Sequence, residues 1–106
     1  MDLTKPTALA GLLDYQEKGI VSRVLLKDKS GTVTLFGFDA GEELSEHRAP
    51  FHALVQVVEG QADIRIAAET HRVRAGDVLL LPADVPHAVR APERFKMVLT
   101  MLRGEP

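Results

Sequence analysis

The sequence predicts a single all-β domain, built as a sandwich or barrel of short strands. Two observations predict this fold class. From Ile20 onward, apolar and polar residues alternate with a period of two, which is typical of β-strands. Turn signals rich in Gly, Pro and Asp separate these runs at short intervals. The 106 residues contain no repeat and no linker, so we expect one domain over residues 1–106.

The segment before Ile20 has a different pattern. Over Thr7–Lys18, four apolar residues fall near one face of a short helix: Leu9, Leu12, Leu13 and Tyr15. Gly19 follows as a stop signal. The pattern predicts a helical arm over residues 1–19, which packs on a barrel over residues 20–102.

The strands are predicted in the order in which the alternation and the turns divide the chain. They are Ile20–Leu26, Thr32–Phe38, Leu54–Glu59, Asp63–Ile66, His71–Ala75, Val78–Leu81, His87–Arg90 and Phe95–Leu102. Ala67–Thr70 is short enough for a hairpin, and Pro82–Pro86 is a loop. Both faces of the first two strands are fairly apolar, which favours burial against a second copy of the chain in a homodimer.

With five aromatic residues in the chain, we expect an aliphatic core. The expected core residues are Ile64, Ile66, Val73, Leu79, Leu81, Val89 and Leu99.

The composition excludes several classes of function. Thirteen basic and fifteen acidic residues give a net charge of −2, so nothing favours binding to a nucleic-acid backbone. The absence of cysteine excludes disulfides and thiolate chemistry and favours a cytoplasmic location. No apolar run is long enough to span a membrane and no signal peptide opens the chain, so we expect no membrane partner.

Three of the four histidines lie near the mouths of predicted strands. His47 and His52 flank a turn that contains Pro50, and His87 follows the Pro82–Pro86 loop. A single histidine is more often a surface or hydrogen-bonded core residue. Imidazoles at the mouths of barrel strands, however, can converge on one point, as a metal ion requires. Pro50 disfavours a helix that would present both rings, so a shared site must be assembled from strands.

Two motifs resemble those of a small single-domain cupin. In the first motif, His47 follows Gly41 after five residues, and Gly60 closes the motif after Val57-Val58-Glu59. The second motif reads Gly-Asp-Val-Leu-Leu-Leu-Pro-Ala-Asp-Val-Pro-His over residues 76–87. The resemblance covers residues 20–102 and implies a double-stranded β-helix, also called a jelly-roll barrel.

The chain departs from the family pattern at the metal ligands. The family's second histidine falls on Ala49, and its glutamate falls on Ala53 or Leu54. Asp84 replaces a glycine of the second motif, and its closing asparagine falls on Ala91. Of the four ligands that the resemblance implies, His47 and His87 remain. Two histidines alone rarely hold a divalent ion.

The missing ligands could come from the neighbouring strand. On a regular strand His52 and Gln56 face away from Ala53, but a bulge after Pro50 would turn them inward. Gln56 could instead bond to backbone or to a dimer mate. The hypothesis is a divalent transition metal (Zn, Fe, Ni or Mn) held by His47, His52, Gln56 and His87. Phe51, His71 and Leu81 are predicted to line the pocket.

Two functions stay open at this point. The first is a cupin that binds a divalent metal and a small molecule at the barrel mouth, with or without catalysis. The second is a non-enzymatic domain that binds or senses a small ligand without a complete metal site. The fold does not select between them.

Overall fold

The computed structural model describes residues 1–103, which form two antiparallel sheets packed face to face. In chain order the strands are β1 (Ile20–Asp28), β2 (Gly31–Phe38), β3 (Glu43–His47), β4 (His52–Glu59), β5 (Gln61–Ile66), β6 (Glu69–Arg74), β7 (Val78–Leu81), β8 (His87–Arg90) and β9 (Phe95–Leu102). One sheet has the order β1-β2-β9-β4-β7 and the other β3-β8-β5-β6. The predicted jelly-roll architecture is confirmed.

Two local predictions are corrected by the structure. The helical segment is a single 3-10 turn, Leu9–Leu12, and Leu13 is already extended. Gly11 inside this segment disfavours a longer helix, because its backbone loses the most freedom on ordering. Strand β3 is not among the strands predicted from the sequence. A bulge between Leu44 and His47 interrupts its alternation, which hides the strand from a period-two search.

The core lies between the two sheets and is not purely aliphatic, which corrects the composition argument. Phe38 and Phe95 are fully buried and stack with their ring centroids 4.6 Å apart. Ile64 is fully buried as predicted. The other predicted core residues are also buried or pack against the buried cluster: Ile66, Val73, Leu79, Leu81, Val89 and Leu99. The expected aliphatic residues therefore surround an aromatic pair.

The N-terminal arm packs on the outer face of the five-stranded sheet. The Lys96 ammonium group, on a buried side chain, donates to the carbonyl oxygens of Ala10 and Leu13 at 2.6 and 2.8 Å. A Cβ on Gly37 would lie 2.7 Å from a methyl of Leu13, so glycine at this position makes room for the arm. The Tyr15 hydroxyl donates to Glu59 at 2.5 Å. The arm thus covers part of the outer face that the first two strands were expected to give to a partner.

The strand ends that carry the histidines lie together at the opposite end of the barrel. Strand β3 ends at His47 and β4 begins at His52, while β7 ends at Leu81 and β8 begins at His87. The two short connections between them therefore bridge the sheets at this end, which we call the mouth. Among residues 1–103, no helix has both the length and the apolar character needed to cross a membrane.

Candidate functional site

His47 and His87 meet at the mouth. They are cross-strand partners on β3 and β8, and both face the space between the sheets. Their Nε2 atoms lie 3.0 Å apart, and the rings meet edge to face with centroids 4.2 Å apart. The predicted juxtaposition is confirmed. His87 is buried and His47 is exposed, so the pair reaches from the interior of the barrel to solvent.

The hydrogen bonds of the two rings fix where their protons sit. The Nδ1 of His47 lies 3.2 Å from the Ser45 carbonyl oxygen, and the Nδ1 of His87 lies 3.3 Å from that of Val85. A carbonyl oxygen only accepts, so each Nδ1 carries a proton. Both Nε2 lone pairs then point at each other. Two bare lone pairs at 3.0 Å repel, so the arrangement calls for a proton or another cation between them.

The electrostatics of the pair limit it to one added proton. Burial of the ring lowers the pKa of His87 below its ordinary value, and the charge that His47 would carry lowers it further. The hydrogen bond to Val85 acts in the opposite direction but is a smaller effect. A doubly protonated pair is therefore disfavoured.

Apolar side chains form the wall around the pair. Ile66 is the cross-strand partner of His87 on β5. Ala53 on β4 lies between Leu81 on β7 and Met101 on β9. All four face the space between the sheets, and Ala53, Ile66 and Met101 stay half-buried because the mouth is open. The mouth therefore combines an apolar surface with one polar point, which is the usual composition of a small-molecule site.

The prediction that the side chains of His52 and Gln56 point into the barrel is wrong. Strand β4 pairs with β9 in regular register from His52 to Val57, so the bulge that would turn these side chains inward is absent there. Both residues are exposed, whereas Val55 and Val57 are buried on the inner face. His52 has another partner: its Nδ1 accepts a hydrogen bond from the Ala83 backbone N–H at 3.0 Å.

His52 thus holds the loop that leads to His87. Because Nδ1 accepts, the proton of the neutral His52 ring sits on Nε2. The same loop is fixed from a second side, since the Asp84 N–H donates to the Ala49 carbonyl at 2.8 Å. Asp84 has a positive φ of 65°, in the left-handed region that Asp tolerates better than most residues and where the family has glycine. These contacts position the loop without joining the histidine pair.

The predicted pocket-lining residues lie in different places. Leu81 is buried in the wall of the mouth, and Phe51 is half-buried immediately before β4. His71 lies on the edge strand β6 and lines another cavity, together with Val73 and Leu79. Neither histidine of the pair lines that cavity. Ile66 and Met101 were missed as wall residues, and only the cross-strand register could have identified them.

The donor set around the pair is incomplete. No group of three His, Asp or Glu side chains placed to hold a metal ion occurs within residues 1–103. The register also decides which residue stands at the family's glutamate position, because Ala53 faces the mouth and Leu54 faces outward. The residues present therefore do not fit an ion held by this chain alone, since such sites ordinarily use at least three protein ligands.

The fold and the histidine pair together define a small cupin domain. A conserved protein of unknown function from Streptococcus pyogenes has the same fold with a TM-score of 0.93 and 32% identity, covering 100% of this chain and 93% of the other. A cupin superfamily protein from Desulfitobacterium hafniense is similar with a TM-score of 0.92 and 29% identity, covering 98% and 95% of the two chains.

The chain belongs to the family of AraC-like ligand binding domains, whose model matches residues 32–106. A Streptomyces cyaneus protein named polyketide synthase CurC is 33% identical over 82 residues, which is 74% of this chain and 53% of that protein. The chain thus spans about half the length of this curated relative.

Proposed function

We propose that this chain is a ligand-binding cupin domain that holds a small molecule at its mouth, with His47 and His87 as the polar recognition point. The carrying observation is the convergence of the two Nε2 atoms at 3.0 Å, while each Nδ1 faces a backbone carbonyl. Ile66, Leu81 and Met101 provide apolar surface for the body of the ligand. The ligand-binding character of the family supports the proposal. It assigns binding and no reaction step.

The chemistry of the pair suggests the class of ligand. The two Nε2 atoms converge at the edge of an apolar wall, so a ligand that brings a proton to the pair is favoured. This combination suits a flat or branched apolar molecule with one carboxylate, phenol or enol oxygen. One relative is named a polyketide synthase, so phenols and β-dicarbonyl compounds belong among the first compounds to test.

The test is an NMR titration of the full chain with a panel of hydroxybenzoates, benzoate and β-diketones. The signals followed are the imidazole resonances of all four histidines. We expect at least one compound to shift the His47 and His87 resonances with a dissociation constant below about 1 mM. His87→Ala should raise the dissociation constant of that compound about tenfold or more, because the substitution removes a polar contact in a site that is partly shielded from water.

A matched control is available because His71 lies in a different cavity. His71→Ala should leave the affinity for the same compound unchanged. Compounds that bind but shift only resonances far from the mouth would contradict the proposal, as would equal affinities for the parent and His87→Ala.

A divalent metal ion at the pair is a second candidate, favoured by one observation. Each Nδ1 faces a backbone carbonyl, and metal-ligating histidines ordinarily donate their other nitrogen in this way. His47 and His87 would hold such an ion, and the remaining donors would have to come from the bound ligand or water. The ion would supply a positive charge for an anionic ligand. Because the protein donor set is incomplete, this candidate predicts weak binding.

Restoring a carboxylate at Ala53 tests the metal candidate directly. Calorimetric titration of Zn²⁺, Mn²⁺ and Ni²⁺ into the tag-free parent should give dissociation constants of about 1 mM, since two histidines alone hold an ion weakly. Ala53→Glu should tighten the best of them roughly tenfold or more, since it supplies a third ligand. Thr70→Glu, on the outer face of the other sheet, is the control and should change nothing. Parent protein that shows no binding up to several millimolar would rule the candidate out.

A cytoplasmic location and a homodimeric state complete the proposal. The cysteine-free composition supports the first. An exposed apolar face of the five-stranded sheet supports the second.

A further inference from the structure

A cavity of about 380 Å³ lies on the outer face of the four-stranded sheet, and neither histidine of the pair lines it. Ala88 belongs to its lining and lies on β8, an inner strand of the sheet. The longer side chains of Arg65 on β5 and Arg90 on β8 line it as well. A methyl group between longer side chains leaves a hollow in the sheet face. The volume is within the range of about 300–1,000 Å³ that small-molecule sites occupy.

The bulge in β3 forms one wall of this cavity. It places two residues, Ser45 and Glu46, opposite Ala88, and both of them line the cavity. Glu46 reaches across β8 to Arg65 on β5, where the carboxylate and the guanidinium lie 2.9 Å apart. This ion pair spans the strand that carries Ala88, so it bounds the cavity on the side nearer the mouth.

A row of charged residues crosses the sheet on the side of the cavity farther from the mouth. Glu43, Arg90, Asp63 and Arg72 are cross-strand partners in this order, so the sign of the charge alternates from strand to strand. Asp63 is already matched, because Arg72 contacts it at 2.5 Å and holds the pKa of its carboxyl below the usual range. Arg90 approaches Asp63 only to 3.8 Å, which is too long for a hydrogen bond.

Glu43 and Arg90 carry charges that their neighbours in the row do not match. Among residues 1–103 no ion pair joins these two side chains, although they are cross-strand partners on one face. The Arg90 side chain is 56% exposed, and Glu43 is also exposed. Both residues line the cavity. A carboxylate and a guanidinium therefore stand side by side, and each can bind a group of opposite charge.

We propose that this cavity binds a small zwitterion, such as a free α-amino acid. The ligand carboxylate accepts hydrogen bonds from the Arg90 guanidinium, and the ligand ammonium group donates to Glu43. These two residues lie on neighbouring strands, which are about 4.8 Å apart. An α-amino acid carries both charged groups on one carbon, so it can contact both side chains at once. A short aliphatic side chain then lies over Ala88.

The charges of the cavity favour a zwitterion over a simple anion or cation. Two arginines and three acidic residues line the cavity, so its positive and negative charges nearly balance. An anion on Arg90 would lie beside Glu43, and a cation on Glu43 would lie beside Arg90. A ligand that carries both charges avoids either repulsion. Because the contacts are exposed to water, we expect a dissociation constant of about 1–10 mM.

An NMR titration of the isotope-labelled full chain with glycine, alanine and valine tests the inference. The backbone amide signals of Ala88 and Arg90 should shift and saturate in the low millimolar range. Acetate alone and methylammonium alone should each bind about tenfold more weakly or not at all, because each meets one repulsive neighbour. Arg90→Gln and Glu43→Gln should each raise the dissociation constant about tenfold or more, since each removes one charged contact.

Two control variants lie on the same sheet but outside the cavity lining. Arg74→Gln on β6 is the control for Arg90→Gln, and Glu69→Gln on β6 is the control for Glu43→Gln. Both controls should bind the amino acid as the parent does. Ala88→Leu fills the hollow and should abolish binding while leaving all the charges in place. Circular dichroism establishes that each variant is folded.

Three results would overturn the inference. The first is a parent whose Ala88 and Arg90 signals do not respond to any of the three amino acids up to about 50 mM. The second is acetate that binds as tightly as alanine and is insensitive to Glu43→Gln, which would define an anion site. The third is equal binding by the parent and Ala88→Leu. The inference goes beyond the ligand site at the mouth and does not depend on it, since the imidazole signals of that site are followed separately.

Discussion

The outer faces of the two sheets differ in chemistry, although both sheets bury their inner faces in the same core. The five-stranded sheet presents exposed apolar side chains at one end, among them Leu26, Leu54 and Leu80, and carries the N-terminal arm at the other. The four-stranded sheet presents ion pairs: Arg72 contacts Asp63 at 2.5 Å, and Arg65 contacts Glu46 at 2.9 Å. Strand alternation predicts which residues point outward. Whether those outward residues are apolar or charged decides whether the face is stabilised by being buried.

The difference separates two tasks of the molecule. An apolar outer face lowers its free energy when something covers it, as the N-terminal arm does on the five-stranded sheet. A face of exposed ion pairs gains little from being covered, because the charges would lose their water. The histidine pair lies at the end of the charged sheet, on its inner side. The mouth and the apolar outer face of the five-stranded sheet are therefore separate surfaces of the molecule.

The largest change in the free energy of unfolding is expected when the N-terminal arm is loosened from the five-stranded sheet. Lys96→Met keeps the length of the side chain and removes the charge that donates to Ala10 and Leu13. Two carbonyls in a partly buried site then lose their partner. We expect the free energy of unfolding in urea to fall by about 2–3 kcal/mol.

The matched control for Lys96→Met is Lys29→Met in the exposed β1–β2 turn, which should cost less than about 0.5 kcal/mol. If both variants unfolded at the same urea concentration, the arm would not be fastened through Lys96. The outer face would then be free along its whole length.

An intermediate effect is expected from pH, and it arises on the four-stranded sheet. The folded pKa of His87 lies below its ordinary value of 6.5 because the ring is buried. As pH falls through about 6.5, the unfolded chain takes up a proton at this position before the folded chain does, so the free energy of unfolding decreases toward pH 5. Urea unfolding of the parent at several pH values measures this slope.

His87→Gln should show a smaller decrease over the same range, because the titrating group is gone. His71→Gln is the control, since that ring is more than a third exposed at the barrel edge. A slope unchanged by His87→Gln would mean that other groups cause the pH dependence and that the ring is less buried than the structure has it.

The strands were predictable from the sequence because the alternation is strong where one face is buried. In β5, Ala62 and Ile64 are buried while the charged Asp63 and Arg65 face outward, and the register with β6 keeps this order. Strand β3 could not be predicted, since its bulge breaks the period and its outward positions are charged. The path of the arm could not be predicted either. It depends on Gly37 and Lys96, which lie far from the arm in sequence and meet it only in the folded chain.

The candidate site was predictable in part for the same physical reason. Motif spacing brought His47 and His87 together, because each begins or ends a strand at the same barrel end. Strand parity also predicted that His52 would face away from Ala53 on a regular strand, and the strand is regular. The hydrogen bond from Ala83 to His52 could not be predicted, since it joins a loop to the start of a strand and no local pattern encodes their relative position.

A smaller effect is expected from removing that hydrogen bond. His52→Phe leaves the Ala83 N–H without its acceptor, and we expect the free energy of unfolding to fall by about 1 kcal/mol. His52→Phe should bind divalent ions with the same affinity as the parent, because the His52 ring faces away from the histidine pair. If His52→Phe lowered the ion affinity tenfold or more, His52 would be a metal ligand. The assignment of His52 to the outer face of β4 would then be wrong.

The smallest effect is expected on the charged outer face. Glu46→Gln removes the partner of Arg65 and should lower the free energy of unfolding by less than about 0.5 kcal/mol, since the side chains are 35% and 54% exposed. Added salt should reduce even this difference, because ions screen exposed pairs. The Arg65 guanidinium also donates to the Ala67 carbonyl at 2.7 Å and keeps that bond in the variant. A loss above about 1.5 kcal/mol that salt does not reduce would show that this face is stabilised by its charges. The two outer faces would then differ in chemistry but not in their importance for stability.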